Sequence, residues 1–239
     1  ATMLGGLSGD VKIPKKTATA SAAWIAAEGG AATESEMTIG NVSLTPKTLG
    51  AFTDVTRQLL VQSSLDVENL IRNDLTRSIA TAIDKAGLEG TGANGQPTGI
   101  ENATGVTAIG FTNSAAPTFA EMVEMEVAVE TANALTGNLS YILPPGLAGL
   151  LKTTAKDSGS GIMVMERGEV NGYKAIVSNQ VSNSHAYFGN FSDLLIGMFG
   201  GLDIVVDPYS NSTSGTVRVV ALQSVDCAVR HGGSFCKQT

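Results

Sequence analysis

Charge is scarce in this chain. Only 15% of its 239 residues are Asp, Glu, Lys or Arg, against about a quarter in an ordinary globular chain. The balance is acidic, with 15 Lys and Arg against 22 Asp and Glu for a net charge of −7. A nucleic-acid surface needs clustered basic residues that displace condensed counterions. The one local basic cluster, Lys12, Lys15 and Lys16, reads as a solvated arm, so tight direct binding of nucleic acid is not expected. Histidine is scarcer still, with His185 and His231 alone. The two cysteines, Cys227 and Cys236, stand nine residues apart, which fits neither a CxxC redox pair nor a zinc knuckle. So few cysteines suit a reducing cytoplasm better than a disulfide-built domain, and Cys227, in an apolar run, reads as a small core residue. No apolar run approaches the ~20 residues of a membrane-spanning helix. The chain begins at Ala1 rather than methionine, which leaves a processed and a trimmed N-terminus as equal expectations.

What is present is apolar and small. Hydrophobic residues make up 43% of the chain and mean hydropathy is +0.14, enough for a sizeable core in one large domain or two smaller ones. The 28 glycines, with pairs at Gly29-Gly30, Gly200-Gly201 and Gly232-Gly233, predict many tight turns and close backbone approaches.

Residues 1–16 show no hydrophobic period and read as an arm. Trp24 and Ile25 are expected to pin the next segment to a surface. Met37 and Ile39 share one parity, and Val42 and Leu44 the other, with Gly40-Asn41 between them. That flip predicts a hairpin or bulge within residues 27–45. Flanked by Glu28, Glu34 and Glu36, this segment is too polar to pack a core, and a lone hairpin is marginal in water. The clearest signal follows: Val67, Ile71, Leu75, Ile79, Ala82, Ile83 and Ala86 form one apolar stripe over residues 64–86. Ser63 or Ser64 caps its start, and Asp66 and Glu68 occupy the first turn. Glu68–Arg72 is an i,i+4 pair, Lys85 lies in the last turn and Gly87 is the expected stop. About 22 residues at 1.5 Å each give a rod of about 33 Å, a mechanical spine.

Beyond residue 100 the pattern is mixed α/β. A helix is expected over residues 119–135, with Glu121, Glu124, Glu126 and Glu130 mostly on its wet side. A strand follows at Tyr141-Ile142-Leu143, then a helix led by Pro145, a loop over residues 157–161, and a turn at Asn171-Gly172 before a strand over residues 174–177. Strands continue through residues 187–199 and 202–206. The β run over residues 216–230 shifts phase near Val220, which suggests a bulge.

The sequence carries no recognisable active-site motif. Gly90-Thr91-Gly92-Ala93-Asn94-Gly95 matches GxGxxG, but it follows a helix instead of a strand, and Pro97 and Gly99 come next, so it reads as a loop. No GxxxxGK[ST] phosphate loop and no GxSxG elbow occur. Ser158 and Ser160 have no base beside them, and His231 beside Arg230 reads as a surface residue. The expectation is no catalytic residue, no cofactor and no metal.

The order of these parts resembles the major capsid proteins of tailed bacteriophages, the family with the Hong Kong 97-type fold. The resemblance rests on Ala27-Glu28-Gly29 through Glu34-Ser35-Glu36, on Val55-Thr56-Arg57-Gln58-Leu59-Leu60, on the helix, and on Gly90 through Ile100. Weaker support comes from Leu143-Pro144-Pro145, residues 170–177, and Leu202-Asp203-Ile204-Val205-Val206. It implies an α+β fold with four parts: an N-terminal arm remnant (residues 1–16), an extended β-hairpin loop (17–53), a peripheral domain (54–97 and 201–239, with the spine helix at 64–86) and an axial domain (98–200). It implies a structural subunit that self-assembles into hexamers and pentamers of an icosahedral phage or prophage capsid in the host cytoplasm. Its partners would be copies of itself, with a scaffold and a maturation protease during assembly, around double-stranded DNA held without sequence-specific binding; no membrane is involved. In the founding member a lysine in the extended loop makes an isopeptide bond to a neighbour. Residues 29–34 here contain no lysine and Ala32 occupies the matching position, so no covalent crosslinking is expected. Glu28, Glu34 and Glu36 of the loop, with Arg57 and Arg72 of the spine region, are the candidate inter-subunit contacts. An encapsulin-like nanocompartment shell is an alternative within the same fold, and an α/β hydrolase or nucleotide-binding enzyme is one outside it.

Overall fold

The structure, a computed structural model, describes residues 1–18, 20–25, 34–62, 66–113, 117–157, 159, 161–183 and 185–238. Its strands and helices, in chain order, are β1 (Thr2–Leu7), β2 (Val11–Lys16), β3 (Ile39–Leu44), β4 (Lys47–Thr56), α1 (Arg57–Gln62), α2 (Asp66–Glu89), β5 (Thr107–Ile109), α3 (Phe119–Thr131), β6 (Leu139–Leu143), α4 (Pro145–Leu151), β7 (Met165–Glu166), β8 (Glu169–Val170), β9 (Tyr173–Val177), β10 (Tyr187–Asn190), β11 (Leu194–Asp207), β12 (Thr216–Val229) and β13 (Phe235–Gln238).

The long apolar stripe forms the helix it predicts, α2. Leu75 and Ile79 at its centre are buried against Leu49, Ala51, Ile204, Val219 and Ala221 of a four-stranded sheet ordered β1-β11-β12-β4. On the wet face Arg72 donates to Glu68 through Nε at 3.0 Å and Nη2 at 2.8 Å. The caps expected at Ser63 and Ser64 lie outside the described residues. The helix does not stop at Gly87. It runs to Glu89 and closes at Gly90, whose N–H donates to Ala86 O at 3.0 Å. Burial of Leu88 with Ile100, Tyr187 and Phe235 outweighs the ~1 kcal/mol that glycine costs inside a helix, and Lys85 therefore sits before the last turn.

Residues 1–16 are ordered strands, contrary to the arm expected from their lack of period. β1 runs parallel to β11, with Thr2 opposite Leu195, and β2 runs antiparallel to β3. The partner of β1 is nearly the whole chain away, so no local pattern announces it. β3 is also straight where a turn was expected. Gly40 and Asn41 lie opposite Lys15 and Pro14 within an unbroken ladder. The parity flip arises because Val42 and Leu44 are buried while Met37 and Ile39 face outward. The bulge is real but belongs to β11. Phe199 faces Ser224 and Asp203 faces Leu222, so the extra residues sit at Gly200-Gly201-Leu202, where Gly200 has φ +74°. β12 keeps an unbroken register with β4 from Thr216↔Thr56 to Val225↔Lys47. Its apolar phase changes because the strand passes from one-sided cover by α2 into two-sided burial from Val225 to Cys227, which erases alternation.

A seven-stranded sheet, ordered β5-β13-β10-β6-β9-β8-β7, carries α3 and α4. Tyr141, Phe188, Met122, Met125, Leu143, Leu147 and Leu151 fill its core, and Tyr141 Oη donates to Met122 O at 2.9 Å. Asn171 (φ +52°) and Gly172 (φ +81°) make the expected tight turn between β8 and β9, and Pro145 opens α4. A further apolar cluster around Leu88, Ile100, Tyr187, Ile196, Val225 and Phe235 joins the two sheets at the C-terminal end of α2.

α3 ends at Thr131, earlier than residue 135, and two of its four glutamates are not solvated. Glu126 accepts from Tyr173 Oη at 2.9 Å and from the Asn171 amide. Glu121 is buried and closes a capping box with Thr118; its carboxylate accepts the N–H of Thr118 at 2.7 Å and of Thr112 at 2.6 Å. Burial pushes the Glu121 carboxyl up, but the N–H groups of Thr118 and Thr112 outweigh it and hold it below its usual value. A lowered folded value means that its stabilisation is present above the unfolded glutamate pKa, about 4.3, and is lost as pH falls through the folded value. Glu121→Ala should therefore cost about 1–3 kcal/mol at pH 7 in urea denaturation, with the gap from the parent closing in acid.

Candidate assembly surfaces

The side chains marked by the sequence for contact between copies lie on separate exposed elements. Glu34 and Glu36 are exposed in the segment leading into β3; Glu28 lies outside the described residues. Arg57 is exposed at the first residue of α1, where its backbone N–H donates to Gly215 O at 3.0 Å. Arg72 is engaged by Glu68 and stands at the rim of a groove lined by Ile71, Val55, Val206 and Val217. Among the described residues the ion pairs are Lys47–Asp226, Arg72–Glu68, His185–Glu89, Arg218–Asp54 and Lys237–Glu101, so none joins Glu34 or Glu36 to Arg57 or Arg72.

The described residues that follow β2 and precede β3 continue their pairing as a ribbon. Thr17 N–H donates to Thr38 O at 2.8 Å, and Ser21 and Ser35 exchange hydrogen bonds at 2.7 and 3.0 Å. This ribbon carries Trp24, 101% exposed, and Ile25, 55% exposed. The surface expected to pin these two residues is therefore not one of this chain's own described surfaces. Tryptophan is enriched at the energetic centres of interfaces, which makes Trp24 a candidate contact alongside the loop glutamates.

A second surface was not read from the sequence. On the sheet face opposite α2, Phe52, Val220 and Val205 stand side by side across β4, β12 and β11, and Phe52 is 64% exposed. In the adjoining row Arg218 donates to Asp54 through Nε and Nη2, both at 2.8 Å, and its guanidinium lies 4.6 Å from the Phe52 ring centre. Hydrogen bonding from Arg218 holds the Asp54 carboxyl below its usual value. Shared parity sets Phe52 and Asp54 on one face of β4, but nothing local in the sequence places Arg218 beside them.

The chemistry-bearing residues are occupied structurally. The glycine-rich loop folds back on the end of α2 through a Thr91–Thr98 bridge, with Gly92 N–H on Pro97 O at 3.0 Å. His185 Nδ1 lies 3.1 Å from Glu89, which also accepts from Ser182 N–H and Oγ. His231 is exposed. Cys227 and Cys236 are free and buried, and burial pushes both thiols up to about 12. Among the described residues no group of three or more His, Cys, Asp or Glu could hold a metal ion, and no helix is long and apolar enough to cross a membrane. Ser158 and Ser160 lie outside the described residues.

A sequence model of the Phage capsid family matches residues 1–239. A curated major capsid protein of Halomonas phage phiHAP-1 is 35% identical over 235 residues, covering 98% of this chain and 38% of that protein. The chain thus spans well under half the length of that relative. Among solved structures, the capsid of a native GTA particle computed with C5 symmetry superposes with a TM-score of 0.80 at 17% identity, covering 100% of this chain and 87% of that one. A chain from Microbacterium phage Oxtober96 superposes with a TM-score of 0.79 at 14% identity, covering 100% and 88%.

Proposed function

This chain belongs to the phage capsid family, with its Hong Kong 97-type fold, and from that premise we propose that it is a structural subunit of an icosahedral phage or prophage capsid, built into the virion shell. It self-assembles into hexamers and pentamers that enclose double-stranded DNA, and it carries no enzymatic activity of its own. A scaffold and a maturation protease act with it during assembly in the host cytoplasm. Residues 17–53 serve as the extended loop, 54–97 and 201–239 as the peripheral domain, and 98–200 as the axial domain. The observation that carries the reading is the β2–β3 ribbon with Trp24 fully exposed: a large apolar side chain with no cover among the described residues needs a neighbour. With no lysine among residues 29–34, the shell relies on non-covalent contacts spread over large interfaces.

Negative-stain microscopy with light scattering should show closed shells, or hexamers and pentamers; a stable monomer at high concentration would overturn the reading. Glu34, Glu36 and Glu28 are the loop's charged contacts, and Arg57 and Arg72 receive them on a neighbour. The double reversal Glu34→Lys, Glu36→Lys should reduce shell yield about tenfold, with the loss eased at high salt, because exposed ion pairs are weak singly and repeat at every contact. Unchanged assembly would remove the support for the loop assignment.

A further inference from the structure

Asp226 of β12 is 3% exposed, and two of its three side-chain partners lie at one place, the root of the ribbon. Its Oδ2 accepts the backbone N–H of Thr45 at 2.8 Å, and its Oδ1 accepts Lys47 Nζ at 2.9 Å. The remaining partner is the N–H of Cys227, next to it on the same strand, at 3.0 Å. Thr45-Pro46 is the corner where β3 hands over to β4. Pro46 has no N–H and restricts Thr45 to extended backbone, so the donor available at that corner is the one Asp226 takes. Beside the corner, Leu44 is fully buried on the backbone of Gly197 in β11. A Cβ at Gly197 would lie 3.0 Å from Leu44 Cδ1 and 2.9 Å from Leu7 Cδ1. A buried carboxylate and a bare glycine seat together fix β3 against the body.

We propose that Asp226 is a positioning residue that sets the angle at which the ribbon leaves the body, and so the geometry of the lattice. The inference rests on the capsid reading above. The lever is long. Glu34 stands ten positions before Leu44, a reach of up to about 33 Å, so a tilt of about 10° at the root moves Glu34 by up to about 6 Å. That exceeds the ~4 Å reach of an ion pair. Removing the carboxylate frees the Thr45 N–H and the Lys47 ammonium together, while Val225 and Cys227 on either side keep their core positions.

The test places nitroxide labels at Met37→Cys on the ribbon and Leu70→Cys on α2, both exposed, with the buried Cys227 and Cys236 left in place because burial shields their thiols from the label. Pulsed electron resonance on the parent should give one narrow distance distribution. Asp226→Ala should broaden it about twofold and lower closed-shell yield about tenfold, with circular dichroism unchanged. Asp226→Asn keeps an acceptor for Thr45 and should fall between the two. If Asp226→Ala does not fold, Asp226→Asn and Lys47→Met carry the test, and parental width in both overturns the proposal. Parental width in a folded Asp226→Ala also overturns it. Absence of shells from the parent, with broadening in the variant, would instead remove the capsid reading and leave the joint standing.

Discussion

Gly90→Val is expected to remove about 3–5 kcal/mol of stability, enough to leave little soluble protein. A Cβ at Gly90 would lie 2.3 Å from Pro97 O and 2.4 Å from Ala86 O; at Gly99 it would lie 2.5 Å from Gly90 N and 2.7 Å from Ala86 O. These are backbone atoms on both sides, so no rotamer change relieves the clash. Neither residue has a positive φ, which makes the requirement one of space. Gly99 N–H donates to Gly90 O at 2.9 Å, and this double approach delivers Ile100, fully buried, to the cluster that joins the two sheets. Urea denaturation of Gly90→Val and Gly99→Val should show the loss. Gly149→Ala in α4, where a new Cβ meets nothing within 4 Å, should be neutral or stabilising by up to ~1 kcal/mol. Parental midpoints for both valine variants would show that the loop does not seal the helix end.

The same glycines show what sequence reasoning reads well. That Gly90 through Ile100 is a structural loop follows from order along the chain, because a helix precedes it where a dinucleotide site needs a strand. The helix itself was legible because its stripe repeats over six turns, more than any local accident supplies. The turn at Asn171-Gly172 and the helix start at Pro145 were legible for a related reason: each is fixed by the conformational limits of one or two residues. What was not legible depends on partners distant in sequence. β1 half-buries Leu4 and Leu7 only because β11 lies beside it, and nothing within residues 1–16 states where β11 is. Glu121 looks solvated on a helical wheel until the Thr112 N–H, supplied by the preceding loop, arrives over it. The phase change at Val220 reads as a bulge because a change from one-sided to two-sided burial and an inserted residue leave the same trace in the pattern.

For the candidate contacts the division is similar. Exposure of Glu34, Glu36, Arg57 and Arg72 could be expected from composition, since charges are so few and these stand on polar faces. The Arg72–Glu68 pair was readable from its spacing. The Phe52–Arg218–Asp54 cluster was not, because it needs the β4–β12 register, and Asp226 was hidden inside an apolar run. A buried carboxylate in such a run is the costliest kind of residue to keep there unless it is fully partnered, and two of its three partners here lie at the root of the ribbon.

Phe188→Ala should cost about 3–5 kcal/mol, measured as a lower urea midpoint. Phe188 is fully buried on β10, between β13 and β6. Its ring centre lies 4.4 Å from Tyr141 and 5.2 Å from Tyr173, the latter edge-on. Truncation leaves a void among rings that cannot close it, since Tyr141 is held by its hydrogen bond to Met122 O and Tyr173 by Glu126. Phe52→Ala removes a ring of the same size from a surface position, and its effect on the isolated subunit should stay within about 1 kcal/mol, the scale of the exposed contact with Arg218. The pair separates two uses of one residue type. If Phe52→Ala leaves the subunit's midpoint in place but lowers assembly, the outer sheet face works between copies. If it lowers the midpoint as far as Phe188→Ala does, that face is core of the subunit and its exposure has another cause.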